Sequence, residues 1–163
     1  MNRAIFLDRD DTVIVDKGYL RDPEGIEFMP GVLPALRSFC SAGFLLIMVS
    51  NQSGIGRGYF SENEYNAVQA RFDELLKANG ITFAGYFNCP HSPDDACECR
   101  KPKPLLAFRA ADEYSIDLSE SYMIGDKDSD IEFGTNFGAK ASFRSIHECA
   151  KAFCYNFSIS TTV

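Results

Sequence analysis

Apolar residues follow two rhythms along this chain. Ala4 to Leu7 and Phe44 to Val49 are short unbroken apolar runs, the pattern of strands buried on both faces. Between them Val32, Leu33, Leu36, Phe39 and Cys40 recur at helical spacing, opened by Pro30-Gly31 and closed by Gly43. Ser50 to Gly58 is a glycine-rich loop. Ser61-Glu62-Asn63-Glu64 has the form of a capping box, and Tyr65, Val68, Phe72, Leu75 and Leu76 predict a helix that ends at Asn79-Gly80. Phe83 to Asn88, Ser121 to Ile124 and Ala139 to Phe143 predict three more strands. Pro104 predicts the first turn of a helix reaching about Tyr114. Ser129-Asp130-Ile131-Glu132 again resembles a capping box. Alternating strands and helices predict an α/β fold, a Rossmann-like parallel sheet with helices on both faces. The expected organisation is one domain over 1–154 and a short polar tail over 155–163.

Composition narrows the function. The chain has 163 residues, with 16 Lys and Arg against 23 Asp and Glu, a net charge of −7. That balance argues against a nucleic-acid partner, whose footprint is basic. It leaves room for a small anionic substrate, because a few local cations and a metal reverse the field inside a cleft. The longest apolar stretch, Phe44 to Val49, is far below the ~18 residues of a membrane span. The opening run Ala4 to Leu7 is too short for a signal sequence. A cytoplasmic monomer with no membrane partner is therefore expected.

Polar residues gather where the predicted strands end, which in parallel α/β sheets is where ligands bind. Asp8 and Asp10 leave the first strand, Ser50 and Asn51 the second, and Asp126 the fourth. Two carboxylates so placed can divide labour, one ionised as nucleophile and one protonated as general acid. Asp126, with Asp128 and Asp130 after it, offers oxygen ligands of the kind Mg²⁺ accepts. The bland alternative is a set of acidic turns, with Asp making local backbone bonds.

Cys89, His91, Cys97 and Cys99 form a C-x-H-x5-C-x-C cluster. Three thiolates and an imidazole suit a closed tetrahedral Zn²⁺ site with no position left for catalysis. Such a site would fold the 89–99 loop and fix Arg100 and Lys101, which follow directly. Cys40, Cys149 and Cys154 read as packing residues.

Together Asp8-x-Asp10-x-Thr12, Ser50, Lys101, and Gly125-Asp126 with Asp130 resemble the four motifs of the haloacid dehalogenase superfamily of phosphatases. The resemblance implies that Asp8 attacks phosphorus and that Asp10 serves as acid and then base. It implies Mg²⁺ on the Asp8 carboxylate, the Asp10 backbone carbonyl and Asp126, with Ser50 and Lys101 holding the phosphoryl oxygens. The gaps from Thr12 to Ser50 and from Ser50 to Lys101 leave no room for a large cap domain.

The Cys/His loop narrows the resemblance to two branches, one acting on a heptose bisphosphate and one on histidinol phosphate. Ser50 to Gly58 and Asp16-Lys17-Gly18-Tyr19 favour the sugar branch. By that resemblance a small phosphorylated sugar would touch Asp16, Lys17, Gly18, Tyr19, Asn51, Gln52, Ser53, Arg100 and Lys127. Arg57 is a further cation for a second phosphate. Four residues depart from the branch: Asp11 and Leu105 stand where glycine is usual, and Phe133 and Phe137 where small residues are. The extra charge of Asp11 raises a rival reading, a zinc-stabilised binding module without catalysis.

Overall fold

The computed structural model describes the backbone of residues 1–159 and the side chains of residues 1–153. Five strands form one parallel sheet: β1 (Arg3–Leu7), β2 (Phe44–Asn51), β3 (Gly85–Cys89), β4 (Tyr122–Ile124) and β5 (Ala141–Phe143), in the order β3-β2-β1-β4-β5. The helices are α1 (Val32–Ser41), α2 (Ser53–Gly56), α3 (Glu62–Ala78), α4 (Leu105–Tyr114), α5 (Asp128–Phe137) and α6 (Ile146–Ile159).

Alternation along the strands builds two cores. Ile5, Leu7, Leu46 and Met48 face Leu36, Phe39, Phe72, Leu76 and Cys149, on the side of α1, α3 and α6. Ala4, Phe6, Ile47 and Val49 face Leu106, Ala110, Phe133 and Phe137, on the side of α4 and α5. The unbroken apolar runs of β1 and β2 are what double-sided burial requires. Phe133 and Phe137 fill the second core: their rings are 5.1 Å apart, and Phe137 lies 4.9 Å from Phe6. Leu7 pairs with Met48 on one side and Ile124 on the other, so β1 and β4 end level while β2 runs three residues further, to Asn51. Whatever follows those three residues emerges at one edge of the sheet. One α-helix and a short 3-10 turn (Pro23–Gly25) connect β1 to β2, and no large cap is inserted among the described residues.

Several boundaries differ from the expectation. β3 begins at Gly85, because Phe83 turns into the first core beside Phe72 and Tyr86. β5 begins at Ala141, because Gly138 (φ 82°) ends α5 and Ala139 N–H returns to Gly134 O. The Ser61 capping box is present, with Glu64 N–H donating to Ser61 Oγ and Ser61 N–H to Glu64 Oε2. The second box sits in a different frame. Lys127 precedes α5, and its N–H donates to Asp130 Oδ2 at 3.1 Å, so Asp130 rather than Ser129 serves the helix start. α2 lies within the expected loop, and α6 was not expected. α6 docks through Phe153, 5.2 Å from Phe44 and 5.6 Å from Phe39. It runs across the expected start of the tail at Tyr155, and residues 160–163 lie outside the described part. Among the described residues no helix is long and apolar enough to cross a membrane.

Phe133 is fully buried, so Phe133→Ala should cost about 3–5 kcal/mol of stability, read by chemical denaturation. A loss under ~1 kcal/mol would show that the second core closes over the gap without the ring.

Candidate active site

The level strand ends deliver three carboxylates to one place. Asp8 follows β1, with its N–H donating to Ile124 O at 2.9 Å, and is 4% exposed. Asp126 follows Gly125 at the end of β4, and Asp130 sits in the first turn of α5. A Cβ on Gly125 would lie 2.4 Å from the Asp130 side chain, so only glycine lets the helix start this close to the strand.

Lys101 lies among them. Its Nζ is 2.7 Å from Asp8 Oδ1 and 2.6 Å from Asp130 Oδ1, and donates to Val49 O at 2.8 Å. Burial would push its ammonium down, but Asp8 and Asp130 more than offset that and hold its pKa above the ordinary lysine value. Asn51 holds the Lys101 backbone from both sides: Lys101 N–H donates to Asn51 Oδ1 at 3.0 Å, and Asn51 Nδ2 donates to Lys101 O at 3.2 Å.

Asp10 faces elsewhere. Arg9 Nε lies 3.3 Å from both its carboxylate oxygens, and Arg9 Nη2 is 3.2 Å from Oδ2. Gln52 Nε2 donates to Asp10 Oδ2 at 3.1 Å and to Ser50 Oγ, while Gln52 Oε1 accepts from Arg9 Nη2 at 3.2 Å. Burial raises the Asp10 pKa, with Arg9 pulling against it. Arg9 was not singled out from sequence. The signal was a cation inside a strand-end segment whose neighbours are buried, and the side chain is 2% exposed. Arg144 was also missed; its Nη1 donates to Asp126 O at 3.2 Å.

A cleft of about 400 Å³ opens beside these groups, lined by Arg9, Asp10, Asp16, Gly18, Tyr19, Asn51, Gln52, Ser53, Gly54, Arg100, Lys127 and Ser129. A smaller hollow adjoining it is lined by Asp8, Asp10, Asn51, Lys101, Lys127, Ser129 and Asp130. The structure thus brings together every residue named for sugar contact except Lys17, which is drawn out to Glu27 at 2.6 Å and does not line the cleft. Arg57 is exposed and does not line it either. Asp11 occupies left-handed backbone space (φ 57°), which asparagine and aspartate tolerate better than most residues. Its Oδ1 accepts the Asp16 N–H at 2.9 Å, so the departure from glycine is used to tie down the 16–19 loop.

Two clusters fit metal ions. Carboxylate oxygens of Asp8, Asp126 and Asp130 lie within 4.8 Å of one another. Among the described residues Asp126 Oδ1 is buried without a hydrogen-bond partner, which suits a hard cation there; burial raises the pKa of that carboxyl. The Asp10 side chain is outside this cluster. The second cluster holds the donor atoms of Cys89, His91, Cys97 and Cys99 within 4.8 Å. Cys89 Sγ is 2.9 Å from Cys99 Sγ and 3.5 Å from His91 Nδ1, which lies 3.3 Å from Cys99 Sγ. Its loop is tied to the cleft wall: Gly56 N–H donates to Pro90 O at 2.8 Å and Gln52 N–H to Cys89 O at 2.8 Å.

Known proteins resemble this arrangement. The HAD-hydrolase-like family matches residues 98–143. The D-glycero-β-D-manno-heptose-1,7-bisphosphate 7-phosphatase of Helicobacter pylori is 42% identical over 140 residues, covering 85% of this chain and 81% of that protein. The Escherichia coli K12 enzyme of the same name is 39% identical over 151 residues, covering 87% and 79%. The crystal structure of D,D-heptose 1,7-bisphosphate phosphatase from B. bronchiseptica, complexed with magnesium and phosphate, superposes with a TM-score of 0.85. It is 26% identical and covers 94% of this chain and 99% of its own.

Replacing Lys101 by Met strands two buried carboxylates. We expect Lys101→Met to lose about 3–5 kcal/mol in chemical denaturation, the cost of breaking a buried pair from one side. A variant as stable as the parent would mean that Asp8 and Asp130 do not depend on the ammonium.

Proposed function

We propose a reaction and its machinery from one premise: this chain belongs to the HAD-like family of phosphatases that includes the heptose-1,7-bisphosphate 7-phosphatases. It removes the 7-phosphate of D-glycero-D-manno-heptose 1,7-bisphosphate. The observation that carries this reading is the Asp8–Lys101 pair beside a cleft that adds Arg100 and Lys127, cations for a substrate with two phosphates.

Asp8 attacks the 7-phosphorus. The phosphorus–sugar oxygen bond breaks, and the leaving alkoxide takes its proton from Asp10. Asp10, now ionised, takes a proton from the water that attacks the aspartyl-phosphate. The bond from phosphorus to Asp8 then breaks and inorganic phosphate leaves. Lys101 and Ser50 hold the phosphoryl oxygens throughout. Burial lowers the Lys127 pKa, but Asp8, Asp126 and Asp130 raise it further, so Lys127 keeps its charge toward the substrate. The Asp8 and Asp126 carboxylates and the Asp10 backbone carbonyl would hold Mg²⁺, which supplies positive charge where the phosphoryl group transfers. The magnesium and phosphate bound by the B. bronchiseptica relative support this reading.

The Cys89, His91, Cys97 and Cys99 donors would hold a structural Zn²⁺. Its place in the mechanism is indirect: it would fix the loop that presents Arg100 and Lys101. A cytoplasmic monomer remains the reading for this chain, since Cys89, Cys97 and Cys99 can serve as metal ligands only where they stay reduced. Relatives at 39–42% identity carry the sugar activity, which favours the heptose over histidinol phosphate. A non-catalytic module is not favoured, because Asp11 turns its carboxylate to the Asp16 N–H.

Phosphate release from the heptose bisphosphate should vanish with EDTA, return with Mg²⁺, and fall ~10⁴-fold or more in Asp8→Asn. Equal or better kcat/KM on histidinol phosphate would overturn the substrate. Metal analysis should find about one zinc per chain. An unchanged Tm after zinc removal would overturn the structural role of that site.

A further inference from the structure

We propose that Arg9 is a positioning residue for the general acid: with Gln52 it holds the Asp10 carboxylate away from the cation side of the site and leaves one oxygen free to exchange the proton. This rests on the phosphatase reading above and adds a role that neither the four motifs nor the substrate contacts assign.

The hydrogen bonds on Asp10 are lopsided. Its Oδ2 faces Gln52 Nε2 at 3.1 Å, Arg9 Nη2 at 3.2 Å and Arg9 Nε at 3.3 Å. Oδ1 has a single contact, Arg9 Nε at 3.3 Å. A carboxylate oxygen with a spare lone pair carries a transferable proton; one filled by donors does not. The first half of the reaction moves the proton from Oδ1 to the departing alkoxide, and the second returns one from water to Oδ1.

Without this anchor Asp10 would have other attractions. Lys101 and Lys127 both border the hollow that Asp8 and Asp10 share. Charge alone would draw a mobile carboxylate toward them and toward a metal on Asp8 and Asp126. Arg9 opposes that pull from a rigid seat. Its side chain is 2% exposed, its guanidinium lies over the Tyr65 ring at 5.8 Å, and its Nη2 is fixed on Gln52 Oε1. The planar fork suits this task, since it meets both oxygens of one carboxylate from a fixed direction.

The seat is costly. Arg9 Nη1 is buried with no hydrogen-bond partner among the described residues, and an apolar side chain of similar volume would fill the space with no orphaned donor. A buried arginine held here on packing grounds alone is hard to account for; one held to aim Asp10 is not.

Leaving groups separate aiming from mere structure. An alkoxide needs the proton that Asp10 gives; acetate, leaving from acetyl phosphate, does not. Arg9→Gln should lower kcat/KM for the heptose bisphosphate by ~10²–10³-fold, within the range that general acid catalysis supplies. It should lower kcat/KM for acetyl phosphate less than ~10-fold, since that mixed anhydride expels acetate without needing the proton. Arg9→Lys keeps the charge but not the fork, and should show the same split to a smaller degree. Equal losses on both substrates, or no loss, would overturn the proposal, as would failure of both variants to fold. Should the parent enzyme not hydrolyse the heptose bisphosphate, the substrate reading fails instead, and the split is read on the alkyl phosphate it does hydrolyse.

Discussion

The ammonium of Lys101 is the contact on which the site depends. Three separate stretches of chain place an oxygen within 2.8 Å of it: the residue after β1, Val49 near the end of β2 and the first turn of α5. Burying two carboxylates that close without a cation would cost several kcal/mol for each. With Lys101 in place they face one another across one charge. The requirement reaches outward: Asn51 gives both ends of its amide to the Lys101 backbone, and Gly125 must lack a side chain so that Asp130 can reach in.

Two carboxylates only two positions apart receive opposite surroundings. Asp8 looks into the sheet edge, toward Lys101, Asp126 and Asp130; Asp10 looks toward Arg9 and Gln52. Burial raises the pKa of Asp10, the direction the proposed proton donor needs, while Asp8 is paired with the Lys101 ammonium. The division of labour comes from where the backbone turns after β1, and Asp11 makes that turn in left-handed space while anchoring the loop that follows.

Among the described residues the cleft is lined by loops and helix ends of one sheet domain, with no inserted second domain. Gly18 and Tyr19 both have positive φ (64° and 56°), which lifts the Tyr19 ring against Tyr59 at 4.7 Å on the rim of the cleft. Gly54 lies beneath that ring; a Cβ there would come within 2.7 Å of Tyr19. The Cys/His loop sits behind α2 through the Gly56–Pro90 bond, which joins the thiol cluster to the cleft wall.

The sequence alone determined the architecture and which groups are candidates for the chemistry. Unbroken apolar runs force double-sided burial, and short motifs such as Asp8-x-Asp10 and the Cys/His spacing carry chemistry within a few residues, where the chain itself fixes proximity. The missed α6 was legible in principle, since Ile146, Cys149, Ala150 and Phe153 recur at helical spacing. Arg9 was legible as a cation at a strand end, but its burial was not. Whether a charged residue in a strand-end turn is solvated or sealed depends on what packs over it, and Tyr65 and Gln52 arrive from 56 and 43 positions further along. Lys17 shows the converse: beside the cleft in sequence, it was drawn away by Glu27. Local patterns settle which groups exist, but the direction a long charged side chain takes is set by partners distant in sequence, and only the folded chain chooses among them.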